Sequence, residues 1–392
     1  MKHILFVDDE ANILAGLRRM FHAERDTWDV SFAEGSLEAM SLISARSYDV
    51  VISDMRMPGM DGAELLTHVR EMHPESVRLI LSGQTDRAAA LRAASVAHQV
   101  LNKPIEADAL KKAIARAANL DDRLSQVRLR SVLGRHNALP SPSTTLKRLN
   151  GELADVDCDL GRVAAIIEAD LSITAKVLGL VNSAFFALPR EIYSVKDAVV
   201  YLGIEHVRAL AATADLFRAF GGNEDLTRLA ARLHSHSYEV LRLAQVINPD
   251  TEKPAALYLG ALLHDLGLLA IAALLPDAWS MLTHGDGGDW TNEAERALIG
   301  ATHSEIGAYL LALWGLPFEA IEIVGSHHDE LPIVSTTSLT DVEAVRIADA
   351  IVCGFEPLVG HDPERDRAYL DSLGIGEQIV EWRRYPDPAA RA

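Results

Sequence analysis

The chain has 392 residues, 49% of them hydrophobic, which is enough for the cores of two or three domains at roughly 150 residues each. Its 37 Lys and Arg against 56 Asp and Glu give a net charge of −19, spread without acidic runs, which disfavours nonspecific attraction to DNA, RNA or anionic lipid. Two cysteines, Cys158 and Cys353, make no disulfide framework or CxxC zinc array and fit a reducing, cytoplasmic setting; the start, ending in Asp8-Asp9-Glu10, fits no export signal.

In chain order, short aliphatic runs alternate with helix-like stretches over the first 120 residues. The predicted strands are Ile4–Val7, Val30–Ala33, Val50–Ser53, Arg78–Leu81 and Gln99–Leu101. The predicted helices are Glu10–Ala23, Ser36–Ala45, Asp61–Met72, Asp86–Ala94 and one from Ile105 onward. Five such units predict an α/β doubly wound domain, and Asp61 with Glu64 has capping-box spacing. No Gly or Pro interrupts Ile105–Leu133, so one stiff helix is expected to run into a linker over 121–138 until Gly134 stops it. Leu139-Pro140-Ser141-Pro142 then opens a second domain, expected to be all-α over 139–355, with a helical extension and fraying tail over 356–392.

The predicted helices of that domain are Leu160–Ile167, Ser172–Leu180, Val195–Leu202, His206–Phe220, Leu226–Val246, Ala255–Leu274, Thr291–Leu313 and Phe318–His327. Ala255–Leu275 is long and apolar enough to span a bilayer. A central Asp costs about 2.5–3.5 kcal/mol on the insertion scale, and no Lys or Arg cluster flanks the segment, so a buried helix is expected instead.

In a doubly wound sheet, ligands bind beyond the carboxyl ends of the strands, where Asp8, Asp9, Asp54, Ser82 and Lys103 fall. Crowded carboxylates are relieved by a hard divalent cation such as Mg²⁺. The motifs Ile4-Leu5-Phe6-Val7-Asp8-Asp9-Glu10, Asp54-Met55-Arg56-Met57-Pro58-Gly59, Leu81-Ser82-Gly83 and Lys103-Pro104 resemble the receiver domain of two-component response regulators, a flavodoxin-like fold. That resemblance implies phosphorylation of Asp54 by a sensor histidine kinase. It further implies Mg²⁺ held by Asp9, Asp54 and the Arg56 carbonyl with Asp8 in the outer shell, phosphoryl contacts from Ser82 and Lys103, and a cis bond before Pro104. Where many receivers carry a Tyr or Phe that swings inward, this chain has Val100.

Of 15 histidines, seven lie between His234 and His328. His236, His264-Asp265, His303, His327-His328 and Asp349 sit on separate predicted helices, and imidazole with carboxylate suits Zn²⁺, Mn²⁺ or Fe²⁺; packed, hydrogen-bonded core histidines are the alternative. Neighbours on a helix point about 100° apart, so a metal would have to sit between His264 and Asp265. The order resembles the HD superfamily of metal-dependent phosphohydrolases. More specifically, Asp170-Leu171-Ser172-Ile173-Thr174-Ala175-Lys176, Val181-Asn182-Ser183, Gly260-Ala261-Leu262-Leu263-His264-Asp265, His303-Ser304-Glu305-Ile306-Gly307 and Trp314-Gly315-Leu316-Pro317 resemble the HDOD domain.

That likeness implies a regulatory output acting through protein–protein contacts with an unnamed downstream protein, while the retained His and Asp residues leave a metal-dependent phosphodiesterase as the alternative. The Lys that related cyclic di-GMP phosphodiesterases carry after His-Asp, and their Gly-Tyr-Pro, are absent. No basic recognition helix or membrane contact is expected, and the oligomeric state stays open, a homodimer included.

Overall fold

The computed structural model describes residues 1–83, 93–120, 124–155, 157–183, 190–212, 223–284, 290–329, 339–354, 363–374 and 376–382. The expected helix Asp86–Ala94 and the C-terminal tail lie largely outside them.

The first domain is a five-stranded parallel sheet of β1 (Lys2–Asp8), β2 (Trp28–Glu34), β3 (Val50–Asp54), β4 (Val77–Gly83) and β5 (Gln99–Lys103), in the order β2-β1-β3-β4-β5. The central strands are mainly apolar because helices cover both faces: α1 (Ala11–Met20), α2 (Ser36–Ala45), α3 (Gly62–Met72) and α4 (Ala107–Ala118). Asp61 and Glu64 close the expected capping box at the start of α3. Strand order reverses between β1 and β3, so a crevice opens at their carboxyl ends, where Asp8 and Asp54 stand.

Ile105–Leu133 is not one helix. The helix α4 ends at Ala118, residues 124–126 are non-helical, and α5 (Val127–Leu133) follows. The break lets Leu120, Leu124, Leu129 and Leu133 all turn inward and be buried, which a straight rod leaving the domain would prevent.

The second domain is helical: α6 (Ser143–Ala154), α7 (Leu160–Glu168), α8 (Leu171–Asn182), α9 (Val195–Leu202), α10 (Ile204–Ala212), α11 (Glu224–Ile247), α12 (Pro254–Leu263), α13 (Leu266–Leu274), α14 (Pro276–His284), α15 (Asn292–Leu298), α16 (His303–Leu313), α17 (Phe318–Ser326), α18 (Asp341–Cys353), α19 (Pro363–Ser372) and α20 (Gly376–Trp382). Two expected long helices are each divided. Ala255–Leu274 breaks at His264-Asp265, and Thr291–Leu313 breaks at Gly300, whose φ of +88° suits glycine, before Thr302 caps α16 through a capping box with Glu305. The apolar window in 254–274 is 83% buried, as a core helix pair should be.

The two domains share one continuous apolar core, which runs from Ile4 and Phe6 through Leu124 and Leu133 to Leu268 and Tyr309. Polar contacts lock the seam. The buried Arg78 of β4 donates to the carbonyls of Val96 and Gly134, both at 2.8 Å, and meets the His98 ring at 2.7 Å. A Cβ at Gly134 would lie 2.1 Å from the Pro74 carbonyl, so only glycine lets the linker press this closely on the first domain. Lys176 of α8 reaches the Ala94 carbonyl at 3.1 Å, and Gln99 of β5 donates to the carbonyls of Ala312 and Leu313 at the end of α16.

Candidate functional site

Two sites emerge, one in each domain. In the first, Lys103 reaches across the crevice to bridge Asp8, at 2.8 Å, and Asp54. Burial pushes the Asp54 carboxyl up, and although Lys103 and the Arg56 N–H favour the anion, it stays above its ordinary value. The Arg56 amide donates to Asp54 Oδ2 at 2.7 Å, which wraps the loop carrying the Arg56 carbonyl over the acid. The Glu10 amide holds Asp8 Oδ1 at 2.9 Å, and Asp9 beside it is half-buried.

Ser82, next to last in β4, has a buried hydroxyl with no hydrogen-bond partner among the described residues, and the Lys103-Pro104 bond is cis. Three carboxylates and a carbonyl are a hard oxygen donor set of the kind Mg²⁺ takes. Gly62 makes the crevice possible, because a Cβ there would lie 2.1 Å from the Asp54 carbonyl oxygen. Val100 is buried against Ala97, in a small space that also touches Lys176, Gly179 and Trp314 of the helical domain.

The second site gathers all seven expected residues. His264, Asp265, His303 and His327 are 0% exposed, and His236, His328 and Asp349 no more than 7%. Asp265 lies between two groups of imidazoles: its Oδ2 is 3.3 Å from His264 Nε2 and 3.6 Å from His236 Nε2, and its Oδ1 is 3.6 Å from both His303 Nε2 and His327 Nε2. Asp349 Oδ1 closes the first group, 3.0 Å from His236 and 3.7 Å from His264. His328 Nε2 stands 3.1 Å from His303 Nε2.

The break between α12 and α13 is what lets one Asp reach both groups. On an unbroken helix His264 and Asp265 would diverge by about 100°.

The outer nitrogens of the imidazoles are tied back. His264 Nδ1 meets the Ala261 carbonyl at 2.7 Å, His327 Nδ1 that of Val324 at 2.8 Å, and His303 Nδ1 the Glu295 carboxylate at 2.8 Å. These contacts leave each Nε2 turned inward, and the Nε2 atoms of His264 and His327 are buried with no hydrogen-bond partner among the described residues. Metal-binding histidines are commonly held this way. Burial pushes His327 down to about 4; for His264 burial acts the same way, but the charges of Asp265 and Asp349 prevail and carry it up to about 10. Together the residues offer ligand atoms within 4.8 Å of one another in overlapping groups.

The sequence reading missed two residues. Glu295 is buried and takes hydrogen bonds from the His303 amide, the His303 ring and Trp290 Nε1; only the Gly300 turn brings it there, so no local spacing announces it. Arg346 is buried beside the centre, donating to the His327 carbonyl at 3.1 Å and lying 3.4 Å from His328 Nδ1. It comes one helical turn before Asp349 (i, i+3), a spacing that was there to be read.

Comparison with known proteins follows the same division. Residues 4–115 match the response regulator receiver domain, and residues 139–330 match the HDOD domain. The chain joins a receiver domain to an HDOD domain. Relatives include an uncharacterized protein of Treponema pallidum, 24% identical over 229 residues, covering 56% of this chain and 44% of that one. The hydrogenase transcriptional regulatory protein HoxA of Cupriavidus necator is 42% identical over 83 residues, covering 21% of this chain and 17% of its own. The chain thus spans less than half the length of these relatives.

Among solved structures, a response regulator receiver domain protein from Clostridium thermocellum is 33% identical, covers 32% of this chain and 99% of its own, and has a TM-score of 0.29. The MmoQ response regulator from Methylococcus capsulatus is 22% identical, covers 63% and 98%, and has a TM-score of 0.47.

Proposed function

We propose that the chain is a phosphorylation-controlled switch of a two-component system, in which a sensor histidine kinase modifies Asp54 and the receiver then alters how the HDOD domain engages a downstream protein. In the transfer, an Asp54 oxygen forms a bond to phosphorus while the bond to the kinase imidazole breaks. Mg²⁺ on Asp9, Asp54 and the Arg56 carbonyl, with Asp8 in the outer shell, would supply the neutralising charge. Lys103 and the free Ser82 hydroxyl are placed to receive phosphoryl oxygens, and Lys103 would have to leave the carboxylates it bridges.

The observation that carries the reading is the track between the sites. The strand β5 holds Lys103 at one end and, at the other, Gln99, which binds the last carbonyls of α16, the helix that begins with His303. A shift of Lys103 is therefore felt at a helix end that leads to the histidine–aspartate centre. The coupling runs through direct docking of strand on helix, in place of the stiff connector expected over 105–133.

The test is reaction with a small acyl phosphate and Mg²⁺, read by intact mass and by hydrogen exchange. The wild type should gain one phosphoryl group and change exchange in 303–313, and Asp54→Ala should do neither. Equal labelling of Asp54→Ala would refute the reading.

The bare Nε2 atoms of His264 and His327 favour a second reading of the output, a metal-dependent phosphohydrolase acting on a cyclic or linear nucleotide. A bound transition ion, Zn²⁺, Mn²⁺ or Fe²⁺, would provide the Lewis acid, and Arg346 would provide a cation near His328. Elemental analysis against a His264→Ala/Asp265→Ala variant, with a hydrolysis screen of cyclic dinucleotides, separates this reading from a purely regulatory domain.

A further inference from the structure

Cys353 is the last residue of α18, one turn beyond Asp349, so both side chains leave the same helix face. It is buried, and its Sγ lies 3.6 Å from Asp349 Oδ1. Cys353 Sγ, a ring nitrogen of His236 and a carboxylate oxygen of Asp349 all lie within 4.8 Å of one another. A tetrahedral cation with a metal–sulfur distance of about 2.3 Å and a metal–oxygen distance of about 2.0–2.2 Å sets sulfur and oxygen about 3.6 Å apart. The observed separation matches an edge of such a coordination shell.

The contacts among His236, His264, Asp265 and Asp349, from 3.0 to 3.7 Å, are edges of similar length. Independently, His264 Nε2, fully buried and with no hydrogen-bond partner among the described residues, faces the same space, 3.7 Å from Asp349 Oδ1.

We propose that Cys353 binds, as a thiolate, the cation held by His236, His264 and Asp349, and so makes this position selective for a thiophilic divalent ion of the zinc class over Mg²⁺ or Mn²⁺. Sulfur forms the bond to the metal and its proton leaves to solvent. Soft sulfur disfavours the hard ions that a site of carboxylates and imidazoles alone admits. The inference rests on the reading that this centre holds a metal.

The experiment loads the metal-stripped full chain with Co²⁺ and records its absorption and its cobalt content. Wild type should show both the ligand-field bands of bound cobalt and a near-ultraviolet thiolate-to-cobalt charge-transfer band. Cys158→Ser should keep both. Cys353→Ser should retain cobalt and its ligand-field bands, lose the charge-transfer band, and bind Zn²⁺ at least about 10-fold more weakly.

Bound cobalt in wild type without the thiolate band overturns the role of Cys353 and leaves the metal centre standing; Cys353 then only hydrogen-bonds Asp349. Cobalt content in wild type no higher than in His264→Ala overturns the metal reading and this inference with it. If Cys353→Ser fails to fold, the wild-type and Cys158→Ser spectra still decide the matter.

Discussion

The two sites handle charge in opposite ways. At the rim of the sheet, carboxylates are neutralised by Lys103, whose side chain keeps 26% of its surface in solvent, so the pocket is open to the exchange that the proposed phosphorylation requires. In the helical domain, seven ionisable side chains converge in a sealed interior, and most of the tethers that orient them are backbone carbonyls and a buried Glu. Solvent access suits the first site to exchange, whereas burial would suit the second to retention, since an ion enclosed by pre-oriented groups would leave slowly. Under the proposed function, the exposed site would be the part that changes, and the buried centre would be reached through the seam.

The largest effects should come from the glycines that let backbone pass backbone at each site. In Gly267→Ala the new Cβ would sit 1.8 Å from the His303 carbonyl oxygen, and in Gly62→Ala 2.1 Å from that of Asp54. Each should cost about 2–3 kcal/mol in urea unfolding. The functional losses should divide by domain, metal uptake failing in the first variant and phosphorylation in the second; a variant that loses both functions would show the sites to be less separate than described.

Next, Glu295→Gln keeps the shape but weakens the hold on His303. Metal affinity, followed by competition with a chelator, should fall about 10–100-fold while Asp54 is labelled as before. An unchanged affinity would remove Glu295 from the orienting set.

A further effect probes the seam. Burial, with Arg78 nearby, pushes the Lys176 ammonium down to about 7 from the 10.5 of a free lysine. Between those values the unfolded chain binds the extra proton, so the penalty is full below pH 7 and is relieved as pH rises toward 10. The urea midpoint of wild type should therefore rise, relative to Lys176→Met, between pH 7 and pH 9. Parallel midpoints would mean that the ammonium is not desolvated at the domain boundary.

The strands were legible because buried parallel strands read as apolar runs, and the receiver pocket was legible because its residues follow those strands directly. The seven histidine and aspartate residues of the helical domain's centre could be named, but not their arrangement. Periodicity reports which face of a helix is apolar and says little about where a helix stops inside an apolar stretch, so Ala255–Leu274 and Thr291–Leu313 each read as one helix. The divisions at His264-Asp265 and Gly300 arise from packing against neighbours far away in the chain.

What the sequence determined by itself was local: strand ends, caps, and the chemical types that must meet at a rim or in a core, because these depend on residues within a few positions of one another. Tertiary structure decided that Asp265 lies between two groups of imidazoles, that Glu295 and Arg346 stand behind them, that Cys353 faces His236, and that the receiver rests on α16 through Gln99. Those juxtapositions depend on how close two backbones approach, which is set at Gly62, Gly134 and Gly267 by the absence of a single carbon and registers only once the distant chain is in place.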